Sequence, residues 1–151
     1  MNWNKAKSIT LSLAFVGLFM LALAALDISA YWLTVRYAYY AELPMGSFVA
    51  LLAVIYAASV FGWILLFKMY GLLRALLRGE VFTAENVSRL RTVSWCCLIA
   101  AVILAAGACF RPLLVLFGLA VAAGFMGLIV RIVKNAFQQA AEMKSELDFT
   151  V

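Results

Sequence analysis

One acidic side chain, Asp27, lies in a stretch of sequence that is otherwise apolar enough to form a membrane helix, directly after the uncharged run 8–26. A charged carboxylate at the centre of a membrane helix costs about 2.5–3.5 kcal/mol, so a residue of this kind calls for a partner or a function. The candidate partners are Tyr31, one helical turn further on, and the cations Arg36 and Arg111. Two interpretations stay open: a structural contact between helices, and a site for a proton or small ligand.

Residues that commonly carry out catalysis or bind metals are scarce. Histidine, the commonest general base and metal ligand, is absent. Cys96, Cys97 and Cys109 lie in apolar runs without zinc-type spacing, where cysteine usually acts as a small buried hydrophobe. Glu80 and Glu85 stand among arginines, which indicates charge balance rather than a catalytic pair. Nucleophile motifs and glycine-rich phosphate loops are also missing. We therefore predict a protein that is not an enzyme and that uses no cofactor or metal.

The composition predicts a membrane protein. Hydrophobic residues make up 68% of the 151 residues, against about 45–50% in a soluble domain. Charged residues punctuate four apolar runs, and each run has the length of about 20 residues that a membrane helix needs. We predict an all-α integral membrane four-helix bundle, in a single domain, with spans at about 9–35, 47–70, 92–110 and 113–133.

Basic residues predict the orientation. Ten of them lie before the first span, between the second and third, or after the fourth, whereas the opposite side has only Arg36 and Arg111. The side rich in lysine and arginine is normally cytoplasmic. We therefore expect a bacterial cytoplasmic membrane protein with both termini in the cytoplasm. The connection 71–91 and the tail 134–151 would be cytoplasmic, with the second, third and fourth helices extending into them.

The connection between the second and third spans carries the most distinctive pattern. Gly79 is suited to end the second helix as its C′ residue, and Thr83 is suited to be the N-cap of the third helix. Glu85 would lie in the first turn of the third helix, where the helix dipole favours an acidic side chain. Topology alone explains the basic residues, although anionic headgroups would also attract them. Direct binding of nucleic acid is not expected, because no folded module for it is present. The candidate interaction residues are Gly79, Phe82, Thr83, Glu85, Asn86, Arg89 and Arg91.

Small residues recur at helical spacing in the later spans. Membrane helices associate through such stripes because they allow close backbone approach. Packing within one chain explains them, and a homo-oligomer seam is the alternative. The stripes are Ala50, Ala53 and Ala57; Cys97, Ala101, Ala105 and Cys109; and Ala120, Ala123, Gly124 and Gly127.

The stretch 76–91 contains the pattern G-x-x-F-T-x-E-N-x-x-x-L-R, and the tail 132–151 ends in D-x-T-V. Together they resemble the small four-helix bacterial membrane proteins called domain of unknown function 2975. The resemblance covers nearly the whole chain. It implies no catalytic residues, but it implies a partner, because such genes often lie beside a small helix-turn-helix regulator.

Three functions stay open at this point. The first is a non-enzymatic regulatory or protein-interaction role through the cytoplasmic face. The second is transport or binding of a small solute or ion by an oligomer, using Asp27. The third is immunity against a membrane-active peptide, in which outer aromatics such as Tyr37, Tyr39 and Tyr40 would matter.

Overall fold

The structure, a computed structural model, describes residues 3–110 and 114–149, and the side chains of 7–109 and 114–146. It is built from four helices, each long and apolar enough to cross a membrane. This confirms the prediction of an all-α fold with four helices of spanning length. The helices are α1 (Trp3–Tyr40), α2 (Met45–Leu77), α3 (Ala84–Phe110) and α4 (Leu114–Phe149).

Successive helices run antiparallel and pack in series. Contacts between α3 and α4 pair Ser94 with Gly127 and Ala101 with Gly124, so residue numbers rise along one helix as they fall along the other. In the described part of the chain, α1 packs only on α2, and α4 only on α3. The bundle is therefore open between α1 and α4. The beginning of α1, the α2–α3 connection and the end of α4 share one end, which we call the basic end.

Helix α2 ends in a Schellman motif, a turn that satisfies the last carbonyl groups of a helix. The Gly79 N–H donates to the carbonyl of Leu76, and the Glu80 N–H to the carbonyl of Ala75, each at 3.1 Å. Gly79 has a φ of 82°, a left-handed conformation that favours glycine. The predicted C′ role of Gly79 is confirmed, and the connection turns sharply here.

Helix α3 begins at the predicted N-cap. The Thr83 Oγ1 accepts a hydrogen bond from the Asn86 backbone N–H at 3.3 Å, and Glu85 lies in the first turn. The side chain therefore satisfies one of the free N–H groups at the helix start. Helices α2, α3 and α4 all extend beyond their predicted spans at the basic end.

The most buried part of the molecule is the first half of α3. Leu90, Val93, Ser94, Cys96 and Cys97 are buried there. Elsewhere the helices expose large apolar side chains along most of their length, as expected where lipid replaces water. Burial by protein is therefore greatest near the basic end.

Small residues bring α3 and α4 together. A Cβ added at Gly127 would lie 3.1 Å from both the Cβ of Cys97 and the Cγ of Leu98, and one added at Gly124 would lie 3.8 Å from the Cβ of Ala101. The Ser94 Oγ, which is buried, donates to the Gly127 carbonyl at 2.9 Å. Members of two predicted stripes therefore pack on one another within the chain.

Candidate functional site

Asp27 accepts hydrogen bonds from α2 through both oxygens of its carboxylate. Its Oδ1 accepts from the Ser59 Oγ at 2.5 Å, and its Oδ2 accepts from the Trp63 Nε1 at 2.8 Å. The Tyr56 hydroxyl donates to the Asp27 backbone carbonyl at 3.2 Å. This Asp27 cluster connects the middle of α1 to the middle of α2.

The partners that the sequence suggested for Asp27 are not the ones in the structure. Tyr31 instead makes edge-to-face ring contacts with Trp32 and Phe48. Among the described residues, no ion pair joins Asp27 to Arg36, and Arg111 lies outside the described residues. The Asp27 carboxylate accepts hydrogen bonds from α2 because the face of α1 that carries Asp27 packs against the face of α2 that carries Ser59 and Trp63.

A signal for the true partners is present in the sequence. Tyr56, Ser59 and Trp63 follow the spacing i, i+3, i+7, which places three hydrogen-bond donors on one face of a helix. Serine and other polar side chains commonly form hydrogen bonds between membrane helices. The missing information was the rotation of α1 relative to α2.

We expect Asp27→Ala and Ser59→Ala to be non-additive in the free energy of unfolding. Inter-helical hydrogen bonds in membranes are worth about 0.6 kcal/mol on average and about 1.7 kcal/mol at most, and a carboxylate acceptor strengthens the bond. We therefore predict a coupling energy of about 1 kcal/mol, measured by denaturation in detergent micelles. Ser29→Ala is the matched control, because Ser29 bonds only within α1, to the Leu26 carbonyl. Strictly additive losses of stability in Asp27→Ala and Ser59→Ala would contradict a stabilising hydrogen bond between these two side chains.

Asn86 is the centre of a second polar cluster, in the α2–α3 connection. It is fully buried, with 0% of its surface exposed. Its Nδ2 donates to the carbonyls of Glu80 at 2.5 Å and Val81 at 3.2 Å, and its Oδ1 accepts from Arg89 at 3.2 Å. The Asn86 side chain therefore supplies hydrogen-bond donors to two backbone carbonyls of the turn that precedes its own helix.

Arg89 extends this cluster to α2. Its Nη1 donates to the Gly71 carbonyl at 2.8 Å, and its Nη2 pairs with the Glu85 Oε1 at 2.5 Å. The Glu85 side chain is 72% exposed, so this ion pair contributes little stability by itself, but it orients the guanidinium. We call Gly71, Glu80, Glu85, Asn86 and Arg89 the connection network.

Most of the predicted interaction residues are therefore engaged in forming the connection itself, although only Asn86 is buried. Gly79 and Thr83 end and begin helices, while Glu85, Asn86 and Arg89 hold the turn in place. The remaining two, Phe82 and Arg91, line an open groove. Most residues of the family-like pattern therefore stabilise the α2–α3 connection, and the groove lies beside them.

The groove runs between the beginning of α3 and the last third of α4, with a volume of about 500 Å³. The ring of Phe82, which is 43% exposed, packs on Phe137 of α4 at a centroid distance of 5.5 Å. This contact holds the end of α4 against the connection. The lining residues are Phe82, Ala84, Val87, Ser88, Arg91, Gln138, Ala141, Glu142 and Ser145.

The groove combines apolar and polar groups, as protein-binding surfaces do. Phe82, Val87 and Ala141 supply apolar surface. Arg91 and Glu142 supply opposite charges, and Glu142 also accepts a hydrogen bond from Gln138 at 3.1 Å. No group of three metal-ligating side chains comes together in the described part of the chain.

A comparison with protein families gives one match. The matching family model is described as a protein of unknown function, DUF2975, and it covers residues 30–151. The match includes the connection network, the groove and the part of α1 that follows Asp27. No curated protein and no solved structure matches the chain.

Proposed function

The chain belongs to the DUF2975 family, and we propose that it is a membrane-bound regulatory protein whose groove docks a cytoplasmic protein. The observation that carries the proposal is the groove itself, built on a connection that the network of Asn86 and Arg89 holds in place. A surface held in one conformation loses less entropy on binding than a mobile loop. The proposal places the basic end in the bacterial cytoplasm, as the distribution of basic residues predicts.

Exposed apolar surface at the groove supports docking. Outside the spans, Phe82 keeps almost half of its surface exposed although it packs on Phe137. An exposed aromatic beside polar rim residues is typical of a protein-binding site. Arg91, at the edge, has no carboxylate partner among the described side chains, those of residues 7–109 and 114–146. We therefore infer a partner segment with an apolar anchor and an acidic residue beside it.

The first partner to test is the small helix-turn-helix regulator that the family resemblance associates with such genes. In this proposal the membrane protein holds the regulator at the membrane and changes its access to DNA. The membrane protein itself makes no contact with nucleic acid.

Filling the groove tests the proposal. We expect Ala141→Trp to weaken binding of the purified regulator at least about tenfold, or about 1.4 kcal/mol, because the indole occupies space that the partner needs. Asn135→Trp is the matched control, since residue 135 is exposed on the same helix but does not line the groove. Binding is measured with the intact protein in lipid nanodiscs. Equal affinities for the native protein and both variants would contradict the proposal.

Solute transport and peptide immunity are weaker proposals. The transport hypothesis relied on Asp27, but both carboxylate oxygens already accept hydrogen bonds from α2. That arrangement is suited to fixing two helices together. Tyr39 and Tyr40 are exposed at the opposite end and stack edge to face, which is ordinary for aromatics at a membrane interface.

A further inference from the structure

A second cavity lies between α3 and α4, at the level where the basic end meets the apolar spans. Its volume is about 130 Å³. At about 30 Å³ per water molecule it would hold roughly four waters, a space suited to one phosphate group. The cavity is lined by Arg91, Ser94, Trp95, Leu98, Arg131 and Lys134.

Three cations line this small space, and none of its described lining residues is acidic. Arg91 comes from α3, and Arg131 and Lys134 come from α4. None of the three forms an ion pair with a carboxylate in the described part of the chain, whereas the nearby Arg89 is paired with Glu85. Three positive charges that converge from two helices favour an anion between them.

The position of the cavity along the spanning helices indicates the source of the anion. Trp95 and Leu98 belong to the apolar part of α3, and Arg131 directly follows the apolar run of α4. Trp95 is 56% exposed, and exposed tryptophan is typical of the headgroup level of a membrane. A ligand here has its charged group beside the arginines and an apolar part beside Trp95.

We propose that this cavity binds the phosphodiester group of an anionic phospholipid. Arg91, Arg131 and Lys134 bind the phosphate oxygens, and Trp95 packs against the glycerol and the first acyl carbons. Arg131 and Lys134 line this cavity and do not line the docking groove, so variants at these two positions test the lipid site separately. The two sites share Arg91, so the test variants leave that residue unchanged.

Lipid titration of the intact protein in detergent, followed by native mass spectrometry, tests the site. We expect phosphatidylglycerol to bind the native protein more tightly than phosphatidylcholine. The double variant Arg131→Gln/Lys134→Gln should weaken phosphatidylglycerol binding about thirtyfold, given the contribution of each basic residue near a membrane surface. The charge-matched control Arg78→Gln/Lys144→Gln, which removes two exposed cations at the same end, should change it less than threefold.

Two further arms keep the result interpretable. The charge-preserving variant Arg131→Lys/Lys134→Arg should fold and retain binding within about threefold, which separates lost charge from lost structure. Inorganic phosphate at millimolar concentration should not displace the lipid. Equal weakening in the two charge-removing variants would overturn the proposal, and so would displacement by inorganic phosphate, since that result would indicate a soluble anion instead.

Discussion

Asn86→Asp is expected to lower the free energy of unfolding by about 3 kcal/mol. The aspartate has nearly the same shape but cannot donate to the carbonyls of Glu80 and Val81. Buried carbonyls left without donors cost about 1–3 kcal/mol, and more where a charge is involved. Here a carboxylate would also face two carbonyl oxygens.

The control for this variant is Asn135→Asp, which makes the same chemical change at an exposed position of α4. It should shift stability by less than about 0.5 kcal/mol. Denaturation in detergent, followed by circular dichroism, measures both. Proteolysis at the connection should also accelerate in Asn86→Asp, because the turn loses its hydrogen bonds. If the two variants were equally stable, the connection network would not hold the turn.

Gly127→Leu is expected to destabilise the α3–α4 pair by about 3 kcal/mol. The first added carbon would already lie 3.1 Å from Cys97 and Leu98, and the remaining atoms need space that the helices do not leave. Overpacking of this kind typically costs about 1–3 kcal/mol. Separation of the helices would also stretch the hydrogen bond from Ser94 to the Gly127 carbonyl.

The same substitution at Gly118 is the matched control on the same helix. A Cβ added there meets nothing within 4 Å, so Gly118→Leu places its side chain in open space beside lipid. We expect a change of less than about 0.5 kcal/mol in the same denaturation assay. Similar losses in both variants would show that leucine itself, rather than the contact with α3, disturbs α4.

Local features of this protein followed from the sequence because their causes are local. Apolar runs of about 20 residues predict spanning helices wherever they occur. The roles of Gly79 and Thr83 follow from rules about single residues at helix ends. These features needed no knowledge of which helix faces which.

The partners of Asp27 did not follow, because they depend on how α1 is rotated against α2. Tyr31 lies one turn away on the same helix, but a neighbouring helix offered better donors in Ser59 and Trp63. The inward role of Asn86 was also hidden, since its partners are backbone carbonyls that any sequence would supply. Predicting the groove would have required knowing that the end of α4 lies beside Phe82. That contact joins Phe82 to Phe137, which are 55 positions apart in the chain.

The docking proposal changes which residues of the family-like pattern carry function. Conspicuous side chains such as Asn86 and Arg89 hold the turn, so their loss would act through folding. Phe82, Ser88 and Ala141 are suited to touch a partner because they line the groove. Variants of Ser88 and Ala141 are therefore the ones that separate binding from stability, because Phe82 also holds the end of α4 through its contact with Phe137.

The most direct test is photo-crosslinking in living cells. A photoreactive phenylalanine analogue is placed at Ser88, in the groove, and for comparison at Arg78, an exposed position at the same end that does not line it. We predict a cross-linked product with the helix-turn-helix regulator from position 88, lost when Ala141→Trp fills the groove, and little or none from position 78. Equal cross-linking from both positions, or none to the regulator from position 88, would contradict the account.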